Sequence, residues 1–244
     1  MSVLYQPAGK ALEYSERAVN LYRGCAHGCA YCYAPNVLRM GRDEFRAVVP
    51  RPGVLAQLKK DCLKDRGRDV LLCFTCDPYP PDEVEQGTTR KAIEILQMAG
   101  HRVTILTKAG TRAVRDFDLV RLAGRFASTL TFLDDKRSLL WEPGAALPGD
   151  RLEALQEAHR RDIPTWVSLE PVLDPEAAIA IIERTHRYVE LYKVGRWNHD
   201  PRSQAIEWGT FGHRVETLLI SLGKQYLLKE DLRKAMAPCG PSGR

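Results

Sequence analysis

Near the start of the chain, Cys25-Ala26-His27-Gly28-Cys29-Ala30-Tyr31-Cys32 sets three thiols at spacings of four and three residues. Thiolates bind soft metals, and their number decides the chemistry. A structural zinc wants four ligands, usually in paired knuckles. A closed [4Fe–4S] cluster also wants four thiolates. Here the next cysteine along the chain is Cys62. Three thiolates in one short loop hold three irons and leave the fourth open to a ligand that is not protein. Such an iron is a place to bind and reduce a substrate. The other reading is a zinc loop that borrows a distant cysteine or His27.

The pattern Cys-x3-Cys-x-aromatic-Cys, with Tyr31 as the aromatic, resembles the signature of the radical S-adenosylmethionine (SAM) superfamily. The resemblance implies that the open iron chelates the amino and carboxylate groups of SAM. One electron then cleaves the sulfonium, and the resulting 5′-deoxyadenosyl radical abstracts hydrogen from a substrate. It also implies a reductant such as flavodoxin or ferredoxin.

Further pieces make the likeness more specific. They are Asn20-x-Tyr22-Arg23-Gly24 before the cysteines, Tyr33 after them, Thr75-x-Asp77-Pro78-Tyr79, Thr107-Lys108, Arg115-Asp116, and Glu142-Pro143-Gly144 with Arg151. Together they resemble spore photoproduct lyase and its broader relatives, from Asn20 to about Val194. That resemblance sets Thr75, Cys76 and Asp77 where SAM's amino end is held and makes Tyr31 of the cysteine motif a further candidate cofactor contact. It sets Lys108 against the SAM carboxylate, a charge-assisted pair. Thr129 and Thr131 are candidates for the ribose hydroxyls, or carry only the β-propensity of threonine. Tyr79 is a candidate substrate contact. Glu142 and Arg151 form a structural ion pair or bind substrate.

The chain also departs from that family. Where the lyase carries a hydrogen-donating cysteine three residues before the aspartate, this sequence has Phe74. Cysteines flank it instead. Side chains alternate along a strand, so Cys73 and Phe74 face opposite ways; on the register that the resemblance implies, Cys73 points away from the cavity, and Cys76 is the candidate hydrogen donor, or a small SAM-contacting residue. No counterpart of the lyase's DNA-gripping hairpin is found. The implied activity is of lyase or isomerase type on a nucleic-acid base, nucleoside or nucleotide derivative. A peptide or small metabolite is the alternative substrate, because fold does not fix function. A metal-stabilised nucleic-acid-binding protein without turnover is the alternative of another class.

These residues need a scaffold. Strand-like and helix-like segments alternate six times. Strands are expected at 17–22, 69–74, 102–106, 126–132, 164–169 and 190–194. The run Asp69-Val70-Leu71-Leu72-Cys73-Phe74 is continuously apolar after its first residue, as a buried parallel strand should be. Helices are expected from about Tyr33 to Met40, after Pro52, from Thr88 to Met98, over 115–123, from an Asp150 cap through His159, over 175–185 and over 203–222. A short strand at 224–228 and a helix at 229–236 follow. Such units predict a parallel sheet with helices outside, flat or curved. The family resemblance selects a partial (β/α)6 barrel, residues 1–200, with a C-terminal α/β extension, 201–237, and a disordered tail, 238–244.

Chemistry then collects at the carboxyl ends of the strands. Ser168 and Glu170 end the fifth strand and complete the expected SAM pocket; Glu170 reads equally as a helix-entry carboxylate. Lys193-Val194-Gly195-Arg196-Trp197-Asn198-His199 ends the sixth. Gly195 permits close backbone approach. Lys193, Arg196, Trp197, Asn198 and His199 offer cations, a stacking face and hydrogen-bonding edges suited to a base or nucleotide, or simply a loop packed on the barrel.

Composition sets outer bounds. The 244 residues suit one α/β barrel-type domain or two small domains. A net charge of +5 is compatible with a phosphate-bearing partner without demanding one. No stretch approaches the ~20 apolar residues of a membrane span. The start of the chain lacks the charged and apolar regions of a secretory signal, and seven cysteines, three in a ligand-like group, argue against a disulfide framework. A cytoplasmic protein is expected.

Overall fold

Alternation along the strands dictates the architecture of this computed structural model, which describes residues 2–198 and 200–237. His199 and the tail 238–244 lie outside the described residues. The strands are β1 (Leu4–Tyr5), β2 (Arg17–Val19), β3 (Tyr22–Arg23), β4 (Val49–Pro50), β5 (Asp69–Leu72), β6 (Arg102–Thr107), β7 (Gly124–Thr129), β8 (Thr165–Val172), β9 (Leu191–Arg196) and β10 (Gln225–Leu228). Val70, Leu72, Ile105, Phe126, Val167, Leu169, Tyr192 and Val194 face outward and are buried. They pack against Ile93 and Leu96 of helix Thr88–Met98, Phe117 and Val120 of Phe117–Ala123, Leu155 of Pro148–Arg160, and Ile181 and Ile182 of Pro175–Thr185. Each such side chain contributes roughly 1.5–3 kcal/mol on burial. The alternate residues Leu71, Ala127 and Trp166, with Leu106, Leu191, Phe74 and Tyr14, fill the inner face.

The main sheet runs β1-β2-β5-β6-β7-β8-β9-β10. β1 is antiparallel to β2, and every other neighbouring pair is parallel. Among the described residues no pairing joins β1 to β10, so the sheet is open. The expected parallel α/β fold is present, with six β–α units on β2 and β5–β9. β10 extends this same sheet, in register from Gln225↔Leu191 to Leu228↔Val194. Among the described residues no helix is long and apolar enough to cross a membrane.

Three departures from the sequence expectation have local causes. The expected strand 17–22 stops at Val19 because the Asn20 side chain leaves the ladder. Its Oδ1 accepts from the Phe74 and Thr75 amides, at 2.8 and 2.9 Å. Asp150 is not the helix cap, because Pro148 already occupies the first turn. Its Oδ1 instead accepts from Thr111 Oγ1 at 2.6 Å. The stretch 203–222 divides into a 3-10 turn, Pro201–Ala205, and a helix, Trp208–Ser221. The Trp208 indole donates back to the Ser203 carbonyl at 2.9 Å and closes the turn between them. A further helix, Asp135–Trp141, was not expected.

Glu83 is buried beside Tyr22, whose hydroxyl donates to it, and accepts from the Thr89 amide at 2.7 Å. Burial pushes its carboxyl from the ordinary 4.5 up to about 7. The unfolded chain releases this proton earlier than the folded one. The stabilisation is therefore complete below the ordinary value and lost as pH rises through the folded one. Between about pH 5 and about pH 8, the melting temperature of the wild type should fall more than that of Glu83→Gln. Parallel curves would refute this.

Candidate functional site

The loop after β3 carries Cys25, Cys29 and Cys32 with little regular structure, so bonds to its neighbours set its shape. The Cys25 amide donates to the Phe45 carbonyl at 2.7 Å, and the Ala30 amide to the Trp141 carbonyl at 2.8 Å. The His27 carbonyl accepts from the Gly144 amide at 2.9 Å. Gly144 is required there, because a Cβ would collide with the Ala26 carbonyl oxygen. Arg42 donates to the carbonyls of Cys29 and Cys32, at 3.3 and 3.5 Å.

Tyr31, the aromatic of the motif, donates its hydroxyl to Glu142. Arg151 Nη1 lies 2.7 Å from Glu142 Oε2. That nitrogen's aligned hydrogen bond goes to the Thr129 carbonyl, at 3.1 Å, so the pair is a charge contact. Burial opposes ionisation of Glu142, but Arg151, Lys108 and the Tyr31 hydroxyl hold its carboxyl below the ordinary value. Glu142 and Arg151 are each 1% exposed, and neither lines the cavity described next. Of the two roles open in the sequence, their geometry is that of the buried ion pair.

A cavity of about 420 Å³ opens at the carboxyl ends of the strands, and Cys25, Cys29 and Cys32 line it as free thiols. Their sulfurs share one wall without converging on a point. Among the described residues no three His, Cys, Asp or Glu side chains are grouped as a ligand set for a single ion. Tyr31, Thr75, Cys76, Asp77, Lys108 and Thr129 line the same space. Two buried atoms on this wall, Thr75 Oγ1 and His27 Nε2, have no hydrogen-bond partner. Burial works against the charge on Lys108, but Cys29, Glu142 and Asp77 outweigh it and hold the ammonium above its ordinary value. Three thiols, an ammonium and unmet polar atoms suit a metal-bound polar ligand.

Asp77 is differently engaged. Its Oδ1 accepts from the Tyr79 amide at 2.9 Å and the Thr107 hydroxyl at 2.7 Å. Its Oδ2 accepts from the Lys108 amide at 2.9 Å, with His27 Nδ1 3.5 Å away. Burial opposes its charge, yet His27 and these donors keep the carboxyl below its ordinary value. Burial in turn lowers the His27 imidazole to about 4, so it is neutral at pH 7. Asp77 thus joins the cysteine loop to the ends of β5 and β6.

The opposite wall comes from β8, β9 and segments outside the six units. Ser168 and Glu170 line it, and the Tyr14 hydroxyl bridges them, 2.9 Å from Ser168 Oγ and 2.6 Å from Glu170 Oε2. Gly195 makes room for Glu170, since a Cβ would sit 2.6 Å from its Cδ. Arg196, Trp197 and Asn198 complete the wall. Other expected residues lie elsewhere. Tyr79 is buried and donates to Asp116 at 3.1 Å. Thr131 is buried and outside the lining. Lys193 is held on the inner face of the sheet by the Tyr14 carbonyl at 2.9 Å and by the rings of Tyr14 and Trp166. Burial takes its ammonium down to about 8.

Cys73 corrects the expectation that it points away, for it lines the cavity with Cys76. It stands two residues beyond Leu71 of the inner face, so alternation counted from β5 itself sets it inward. Sequence reasoning also missed Tyr14, Lys10 and Lys229, all in the lining. Lys229 is buried, 3.6 Å from Glu170 and 3.5 Å from Glu13. Its signal was available: it directly follows the expected strand 224–228, hence sits at a strand's carboxyl end.

Comparison with known proteins adds an independent line. The family described as the Radical SAM superfamily matches residues 19–189. An uncharacterised protein of Acidianus two-tailed virus is 28% identical over 172 residues, 65% of this chain and 56% of that protein. An uncharacterised protein of Mycobacterium tuberculosis is 30% identical over 167 residues, 64% of this chain and 49% of that protein. The chain thus spans about half the length of these curated relatives. Among solved structures, spore photoproduct lyase complexed with dinucleoside spore photoproduct is similar with a TM-score of 0.63 and 16% identity, covering 86% of this chain and 64% of that one. Streptococcus suis SuiB bound to S-adenosylmethionine is similar with a TM-score of 0.68 and 11% identity, covering 92% and 53%. At these identities the likeness is one of fold.

Arg151→Met leaves the Glu142 carboxylate buried without its cation. We expect a loss of about 3–5 kcal/mol of unfolding free energy in denaturant titration. A loss below about 1 kcal/mol would show that the pair does not brace the cysteine loop.

Proposed function

Because the chain belongs to the radical SAM superfamily, we propose that Cys25, Cys29 and Cys32 hold a [4Fe–4S] cluster and that SAM is bound beside it. When bound, the pair supplies a one-electron cleavage of the SAM sulfonium that yields a 5′-deoxyadenosyl radical for hydrogen abstraction. The observation that carries this reading is the shared cavity wall: three free thiols, the unpartnered Thr75 hydroxyl and the Lys108 ammonium.

The chain's own residues then have distinct tasks. Tyr31, Glu142 and Arg151 fix the loop that presents the thiols. Asp77 orients the backbone at Lys108 and Tyr79, which sets the end of β6 against the loop. Lys108 offers a cation to the SAM carboxylate, and Thr75 a hydroxyl to its amino end. Thr129 offers a hydroxyl to the ribose. Ser168 and Glu170, held by Tyr14, close the pocket on its other side. Cys76, buried in the lining, is the residue we assign to return a hydrogen atom to the product. Apolar walls such as Phe74, Leu106 and Trp197 limit access of water to the reacting centre.

We assign the activity to a lyase or isomerase type acting on a nucleic-acid base, nucleoside or nucleotide derivative. Support comes from the motif set that resembles spore photoproduct lyase. A flavodoxin- or ferredoxin-like reductant and a cytoplasmic setting belong to the same proposal.

Anaerobically reconstituted protein given SAM and dithionite should release 5′-deoxyadenosine, measured by chromatography. Replacing any one of Cys25, Cys29 and Cys32 with alanine should reduce that release at least about a hundredfold. Release that survives all three replacements would overturn the assignment. Cys76→Ala should leave the release intact and abolish completed product once the substrate is in hand. Unchanged product would remove Cys76 as the donor.

A further inference from the structure

Cys73-Phe74-Thr75-Cys76 sets two thiols three residues apart at the end of β5, the C-x-x-C spacing of pairs that close to a disulfide and reopen. Both are free thiols, 5% and 9% exposed, and both line the cavity. The Cys73 thiol is in hydrogen-bond contact with Cys76. Cys62, by contrast, is buried in the hydrophobic core and absent from the lining. Packing accounts for a single buried cysteine of that kind. It does not account for two that meet at a cavity wall.

The backbone between and beyond the two cysteines is held. Asn20 Oδ1 accepts from the Phe74 and Thr75 amides. Asp77, next along the chain, accepts from the Thr107 hydroxyl and the Lys108 amide. The two thiols are thus brought into contact by fixed chain, and little rearrangement separates that contact from an S–S bond. Burial and the Cys76 contact push the Cys73 thiol well above its ordinary value, so the resting pair is a dithiol. A bridge across so short a loop gains little from chain entropy. It is suited to reversal by thiol–disulfide exchange rather than to bracing the fold.

We propose that Cys73 and Cys76 form a redox-active dithiol of the cavity, closed to a disulfide by a small-molecule disulfide and reopened by a dithiol reductant. One cysteine, as thiolate, displaces a thiol from the incoming disulfide. The second displaces the other thiol from the resulting mixed disulfide. Two electrons pass to the oxidant, and the two protons pass to the thiols it releases. The consequence rests on the reading of Cys76 above. Closing the bridge removes the S–H hydrogen assigned to the product, so the state of the pair decides whether turnover can finish. Cys73 acts on the reaction through Cys76.

The test equilibrates anaerobically reconstituted protein, with saturating SAM, in mixtures of 2-mercaptoethanol and its disulfide, molecules small enough for a cavity of about 420 Å³. After acid quench, alkylation and trypsin, mass spectrometry reads the peptide 69–90, which holds Cys73 and Cys76 and no other cysteine. Wild type should pass from a doubly labelled peptide to an unlabelled, bridged one, and dithiothreitol should restore both labels. The mixed disulfide with 2-mercaptoethanol should accumulate at least about tenfold more on Cys73→Ser than on wild type, because no partner displaces it. Melting curves confirm that the variant folds. Wild type that keeps both labels across the whole range, that stops at the mixed disulfide, or that bridges either residue to a different cysteine would overturn the proposal. Release of 5′-deoxyadenosine by the reduced wild type reports separately on the cofactor reading, so the two can fail independently.

Discussion

A short loop with little regular structure cannot present three thiols in a fixed array by itself. Everything about this site depends on its being held from behind, and the buried chain from Tyr31 through Glu142 to Arg151 does that. It carries charge into the core, where an unpaired member is expensive. It is tolerated because Arg151 also satisfies the carbonyls of Ala146 and Thr129. Gly144 brings the same segment against the loop backbone. Asp77 plays the matching part on the other side, binding the ends of β5 and β6 to the neutral His27.

The cavity between these braces has two chemically different walls. One carries thiols, Lys108 and unmet polar atoms. The other is a preformed network in which Tyr14 joins Ser168 to Glu170 and Lys229 balances the acid. Burial pushes Glu170 upward despite Lys229 and the Tyr14 hydroxyl, which marks this wall as poorly solvated. The division follows from topology. β5 and β6 flank the cysteine loop, whereas β8, β9 and β10 bring in residues from distant stretches of chain. Binding a cofactor on one side and a substrate on the other is a natural use of such a division.

Much of the first wall was legible in the sequence. The cysteine spacing, Thr75, Lys108 and Thr129 could all be named from motifs at strand ends, and the order of β–α units predicted the parallel sheet without deciding its curvature. The rest failed for identifiable reasons. For Glu142 and Arg151 a structural ion pair and a substrate role were both open, and motif likeness, which does not report burial, could not choose between them. Cys73 was misdirected because its facing was taken from the family register, whereas alternation counted from Leu71 on the inner face sets it inward. Tyr14 reaches the cavity through tertiary packing against Lys229, far along the chain, and no local pattern encodes that meeting; Lys229 itself could have been read from its place after the expected strand 224–228. Lys193 was read as a ligand for substrate, although its ammonium lies against two aromatic rings on the inner face of the sheet.

The claim at the centre is that three thiolates leave one iron open and that SAM occupies it. Electron paramagnetic resonance of the reduced, reconstituted protein, recorded before and after SAM is added, tests this most directly. The account predicts a [4Fe–4S] signal whose g values shift on addition of SAM. A signal that ignores SAM, or a colourless protein loaded with zinc and silent in the spectrum, would contradict it.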